Sequence, residues 1–151
     1  MPGAIAIQTV IDATEWVSQS GNPVAYAPHV RRSPLDGLEA KSVIVQFAKG
    51  DQTVPNPTAT ALINAGDLTD RTTYFRNDLA FAANRTTPKN PHTFLTRITV
   101  PSVAAFALGA QQQIGIFFAT EGAVVIDPDG TGPFFEVPIV GPLPETLNFI
   151  P

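Results

Sequence analysis

The chain has 151 residues, of which 44% are hydrophobic and 15% charged, with a formal net charge of −4 and no cysteine. That length suits one domain, and that apolar share supports a packed core. The missing cysteines exclude disulfides, thiolate catalysis and Cys-based metal centres, and a net negative chain without a basic stripe argues against nucleic acid as partner.

No run of 18 or more apolar residues occurs, so no transmembrane segment is expected. Met1-Pro2-Gly3 is not followed by a basic and then apolar leader pattern. A leader already removed from a secreted parent would leave no trace, so localisation stays open. Asn84-Arg85-Thr86 matches a glycosylation sequon, a pattern that recurs by chance.

In chain order, residues 4–20 read as a helix, with Ile7, Val10, Thr14 and Val17 on one face, stopped by Gly21-Asn22-Pro23. Residues 22–41 hold Pro23, Pro28 and Pro34 and read as a long irregular loop. "SVIVQFA", 42–48, is short and β-branched, with the near-continuous apolar pattern of a parallel strand covered by helices on both faces. Asn56-Pro57 opens a second helix, with Asn56 as N-cap, that ends at Gly66. "RTTYFRN", 71–77, reads as a second strand. Strand, helix, strand predicts a parallel pair with a crossover helix.

Residues 83–91 form a polar loop that delivers His92. A long helix spans 101 to about 120, with Val103, Phe106, Ala107, Ala110, Ile114, Phe117 and Phe118 as its apolar stripe. "AVVID", "PDGTGP" and "FFEVP" predict a two-stranded hairpin over 123–138, followed by a proline-bearing surface tail. The fold class expected from this order is α/β: two parallel strands with a crossover helix, a long C-terminal helix and a terminal hairpin. Residues 1–151 form a single domain, divided into 1–41, 42–122 and 123–151.

Ligands of open α/β sheets bind beyond the carboxyl ends of the strands. Asp51 lies three residues past the first strand, and His92 lies in the loop region after the second. A carboxylate that holds an imidazole in its working tautomer is the Asp–His half of a catalytic triad. The acid-then-histidine order also matches the hydrolase order of Ser, Asp, His. Against this, Gly50-Asp51 after a strand is equally the makeup of a plain turn, and a lone loop histidine is usually just a loop residue.

"QFAKGDQTVPNPTATALINAG" resembles the acid-bearing segment of the α/β-hydrolase superfamily, and "NPHTFL" is similar to its histidine loop. The 101–120 helix resembles the helix that closes that fold. With "EWVSQSGNPVAYAPH", the likeness covers most of the chain and points to the C-terminal part of a bacterial lipase- or esterase-like hydrolase. The resemblance implies Asp51 as the triad acid and His92 as the general base. The nucleophile elbow G-x-S-x-G is absent: none of Ser18, Ser20, Ser33, Ser42 and Ser102 has glycine at both flanking positions. The nucleophile is therefore unassigned and is expected from an N-terminal part outside this chain.

Other candidates are weaker. His29, in "APHVRR", reads as a structural or solvated histidine. "DPDGTG", 127–132, lacks the spacing and later Glu of an EF-hand and reads as a turn. Trp16, Phe117 and Phe118 read as core, and Asp67 and Asp70 as solvent-exposed. Two distant histidines do not suggest zinc, so no metal or cofactor is expected.

Two readings follow. The first is a carboxylic ester hydrolase of the serine type, acting on a small ester or lipid through Asp51 and His92. The second is a non-catalytic fragment that assembles as a homo-oligomer, or with the missing N-terminal part, through uncovered apolar surface and sheet edges. A small-molecule binding module with a pocket near Asp51 is a third, with no ligand indicated.

Overall fold

In the computed structural model, which describes residues 3–151, a three-stranded sheet of order β1-β2-β3 carries helices on both faces. Strand β1 (Val45–Ala48) and β2 (Thr72–Phe75) are parallel, with Val45 opposite Thr72 and Phe47 opposite Tyr74. The helix between them, α3 (Asn56–Gly66), is the crossover that a parallel pair requires. The α/β class and the strand–helix–strand core match the sequence reading.

Side chains alternate across a strand, so each face has its own set. Gln46, Ala48, Thr73 and Phe75 point toward α5 (Ala104–Ala119): Gln46 donates to the Ala110 carbonyl at 3.0 Å, and Thr73 to Gln113 Oε1 at 3.0 Å. Val45 and Phe47 point the other way, toward Leu62 of α3, and Phe47 stacks on Tyr74 at 4.6 Å. The core lies on the α5 face. Fully buried Phe75 meets Phe94, Phe106 and Phe135 at centroid distances of 4.9, 5.3 and 5.1 Å.

Several expectations change. Residues 22–41 are not all loop: Pro23–Val30 form helix α2, with Pro23 in its first turn and Asn22 capping Val24 N–H. Proline is accepted there because first-turn amides have no helical partner. A bidentate Arg31–Asp70 pair at 2.5 and 2.8 Å then ties the end of α2 to the turn before β2. The hydrogen bond from Arg31 holds the exposed Asp70 carboxyl below its ordinary value.

The 123–138 hairpin does not form. Phe135–Glu136 is the only strand there, β3, and it pairs antiparallel with β2 instead. Within the 123–127 segment the Ile126 carbonyl accepts from Gln113 Nε2 of α5 rather than from a neighbouring strand. An unforeseen helix α4 (Asn77–Ala83) follows β2 directly. Trp16 and Phe118 are 80% and 72% exposed, contrary to the core reading, whereas Phe117 is buried. The buried stripe of α5 includes Gln113, and Ile114 is only half-buried. Helix α1 (Ala4–Ser18) has no buried residue.

Candidate active site

The site forms where β1 and β2 end side by side. Lys49 N–H still donates to the Phe75 carbonyl at 2.8 Å, and then Gly50 turns the chain with φ +78°. A Cβ at this glycine would meet the Asn148 carbonyl oxygen at 2.9 Å, so both backbone angle and space demand glycine. Asp51 follows. Its Oδ1 accepts from Thr53 N–H at 2.7 Å and Val54 N–H at 2.9 Å, which closes a tight turn and fixes the carboxylate.

The turn uses only one oxygen of the Asp51 carboxylate and leaves the second for another partner. Asp51 Oδ2 lies 3.0 Å from His92 Nδ1, with side chains 14% and 35% exposed. An ionised carboxylate only accepts, so Nδ1 is the donor in this contact, and in the neutral ring Nε2 then carries the free lone pair. That is the tautomer a general base needs.

The histidine loop is set by several contacts. The His92 carbonyl accepts from Arg97 Nη2 at 3.0 Å and from the Thr93 hydroxyl at 2.6 Å. Thr93 has φ 60°, a left-handed backbone uncommon in a β-branched residue and of the kind found where surroundings force it. Two residues after His92, buried Phe94 stacks on Phe75, so the loop is anchored directly to the core. Asn90 Oδ1 accepts from both Gln52 N–H and His92 N–H, each at 3.1 Å.

Asn56 is not the N-cap that its sequence position suggests, since α3 has no side-chain cap. Fully buried, it spans the end of β1: its Nδ2 donates to the Ala48 carbonyl and its Oδ1 accepts from Gly50 N–H, both at 2.9 Å. Its side-chain amide imitates a neighbouring strand for one step and holds the base of the Asp51 turn.

Asp51 and His92 line a cleft of about 270 Å³ with Phe47, Val54, Phe94 and Leu95. No serine lines it; Ser42 and Ser102 donate to the Glu121 and Thr86 carbonyls elsewhere. Thr93 supplies the one hydroxyl in the cleft, and it is turned to the His92 carbonyl. A larger apolar groove of about 520 Å³, between α2, α3 and β1, holds no titratable group able to act as acid or base near neutral pH. It shares Gln46 with the cleft, so the two hollows flank the same strand.

That strand is a sheet edge. Lys49 bonds toward β2, so by alternation Val45 and Phe47 do too, and the backbone N–H and C=O of Gln46 face outward. Gln46 Oε1 is buried with no partner among the described residues.

The remaining candidates stay apart from this site. His29 Nδ1 bonds the Ser33 carbonyl at 2.7 Å at the end of α2, a structural role. Asp127 and Asp129 organise a turn through Asp129 N–H to Asp127 Oδ1 and Phe134 N–H to Asp129 Oδ2. Burial, with the neighbouring Asp129 carboxyl, pushes Asp127 up to about 6. Among the described residues no cluster of three metal-ligating side chains occurs. Nor, among the described residues, is any helix long and apolar enough to cross a membrane.

The sequence reading missed Asn90, Asn56 and Arg97. Asn90-Pro91 carries a local signal, since Asn before Pro favours a turn closed onto an amide two residues on. The long-range bonds to Gln52, Ala48 and Gly50 have no such signal. Comparison with known proteins gives no match: no family model, curated protein or solved structure is significantly similar to this chain.

Proposed function

We propose that the chain is the acid-and-histidine portion of a serine-type carboxylic ester hydrolase with α/β-hydrolase ancestry. One observation carries the reading: Asp51 Oδ2 and His92 Nδ1, from loops beyond two adjacent parallel strands, lie 3.0 Å apart. Asp51 holds the imidazole tautomer and stabilises the imidazolium that forms when Nε2 takes a proton. The nucleophilic hydroxyl comes from outside the chain, because no serine lines the cleft. It arrives across the open edge of β1, where a strand of the missing N-terminal part would pair with Gln46 and cover the apolar groove. The substrate is a small ester or a lipid.

The dyad has a chemistry of its own that tests this. On an activated ester such as p-nitrophenyl acetate, Nε2 attacks the acyl carbon, p-nitrophenolate leaves, and water hydrolyses the acyl-imidazole. Wild-type chain is expected to release p-nitrophenolate above background. His92→Ala should abolish that excess, Asp51→Asn should lower it by about tenfold or more, and His29→Ala should leave it unchanged. Equal rates for wild type and His92→Ala would sink the reading.

A second reading, a non-catalytic fragment that self-associates, is favoured by α1. Val10 and Val17 share one face of this helix, 65% and 71% exposed, and no described residue buries it. Such an exposed apolar face promotes association, as does the unpaired edge of β1 elsewhere on the chain. Light scattering is expected to give a dimer or larger species that Val10→Glu with Val17→Glu reduces to monomer. A clean wild-type monomer at about 100 μM, a concentration at which even weak interfaces associate, counts against it.

A further inference from the structure

We propose that Asn90 is the positioning residue that registers the acid of the dyad against its imidazole. The inference rests on the Asp51–His92 reading above. Asp51 and His92 come from different loops, and their correct spacing must be imposed by something. Within residues 50–55 the bonds are local: Asp51 Oδ1 to Thr53 and Val54, and Gly50 to Asn56. Within 84–97 they are local too, as in Thr87 to Asn84 and Phe94 to Pro91. Among the described residues, the hydrogen bonds that join the two segments are the dyad itself and the bond from Gln52 N–H to Asn90 Oδ1.

Asn90 does more than bridge. The same oxygen accepts from His92 N–H, so one atom fixes the backbone next to the acid and the backbone of the base. A carbonyl oxygen has two lone pairs and is neutral, which suits two amide donors without adding charge beside the imidazole. The loop beneath is also held. Buried Asn77 donates through Nδ2 to the Pro88 and Lys89 carbonyls at 3.1 and 3.2 Å. Two asparagines in series therefore connect α4 to the dyad. Asn90 touches no reacting atom; it acts through the geometry of Asp51 and His92, and small misplacements in such pairs are costly.

The test reads the imidazole rather than turnover. In the ¹⁵N-labelled full chain at a pH where His92 is neutral, long-range ¹H–¹⁵N correlation is expected to show the Nδ1–H tautomer. Asn90→Ala should shift the ring toward the Nε2–H form that free imidazole favours and speed amide exchange of Gln52 and His92 by at least tenfold. Asn90→Asp, which keeps an acceptor oxygen, should retain the Nδ1–H form. Should the alanine variant fail to fold, Asn90→Leu, which also lacks a side-chain acceptor, is read for the same signature. A wild-type tautomer in the variant lacking the acceptor overturns the inference. Asp51→Asn separates the two claims: a ring unchanged there overturns the dyad reading itself. A ring altered there but not in Asn90→Ala overturns only the role of Asn90.

Discussion

Replacing Phe75 with alanine is expected to cost about 3–5 kcal/mol, the usual penalty for emptying a buried aromatic site. Phe75 is fully buried, and three other phenylalanine rings lie within 5.3 Å of its centroid. These rings come from β3, from α5 and from the loop after His92, so one cavity would loosen three elements. A domain of this size has a total stability of roughly 5–15 kcal/mol, so the loss is a large share. Urea unfolding followed by circular dichroism measures it. Phe118→Ala is the control, because that ring is 72% exposed and its loss should be small. A Phe75→Ala midpoint no lower than the control's would mean that this aromatic cluster is not the core. Since Phe94 stacks on Phe75, the same variant should also blur the position of His92.

Asn56→Leu is expected to cost about 2–4 kcal/mol, because it orphans two buried backbone groups. The Ala48 carbonyl would lose its donor and Gly50 N–H its acceptor. Leucine keeps the branched outline of asparagine but replaces both polar atoms with methyl groups, so the loss combines lost polarity with some overpacking. Asn56→Asp adds a sign. Its carboxylate can still accept from Gly50 N–H but would face the Ala48 carbonyl, lone pair against lone pair. Burial and that contact raise the carboxyl pKa in the folded state above its unfolded value. The variant should therefore be most stable in acid, where the protonated carboxyl can donate, and lose stability as pH rises through the folded pKa. Urea midpoints at pH 4 and pH 7 give the comparison; a variant more stable at pH 7 than wild type would remove Asn56 from this role.

The site was half legible from the chain. Asp51 and His92 stood out because strand ends in α/β sheets are where loops converge, and because the acid precedes the histidine. Their meeting at 3.0 Å follows from the parallel pairing of β1 and β2, which puts both loop origins on one rim. Asn56 looked like a helix cap because capping is the commonest local use of Asn-Pro. The nearby end of β1 offered its side chain two backbone partners instead. Gln113 lies on an otherwise apolar stripe, yet it accepts from the Thr73 hydroxyl and donates to the Ile126 carbonyl, long-range partners that helical spacing does not announce.

What the sequence by itself determined are the local matters. Gly50 permits a left-handed turn, β-branched runs become strands, periodic apolar residues become α1 and α5, and Asp51 closes its own turn. These depend on neighbours a few residues away, and propensity and spacing report them directly. Only the tertiary structure decided which groups meet. It paired β3 with β2 rather than with 123–127, left α1 and the edge of β1 uncovered, and brought Asn90 to Gln52. Each of those outcomes is a competition for hydrogen bonds and buried area between residues far apart in the chain, and no local pattern records which of them wins.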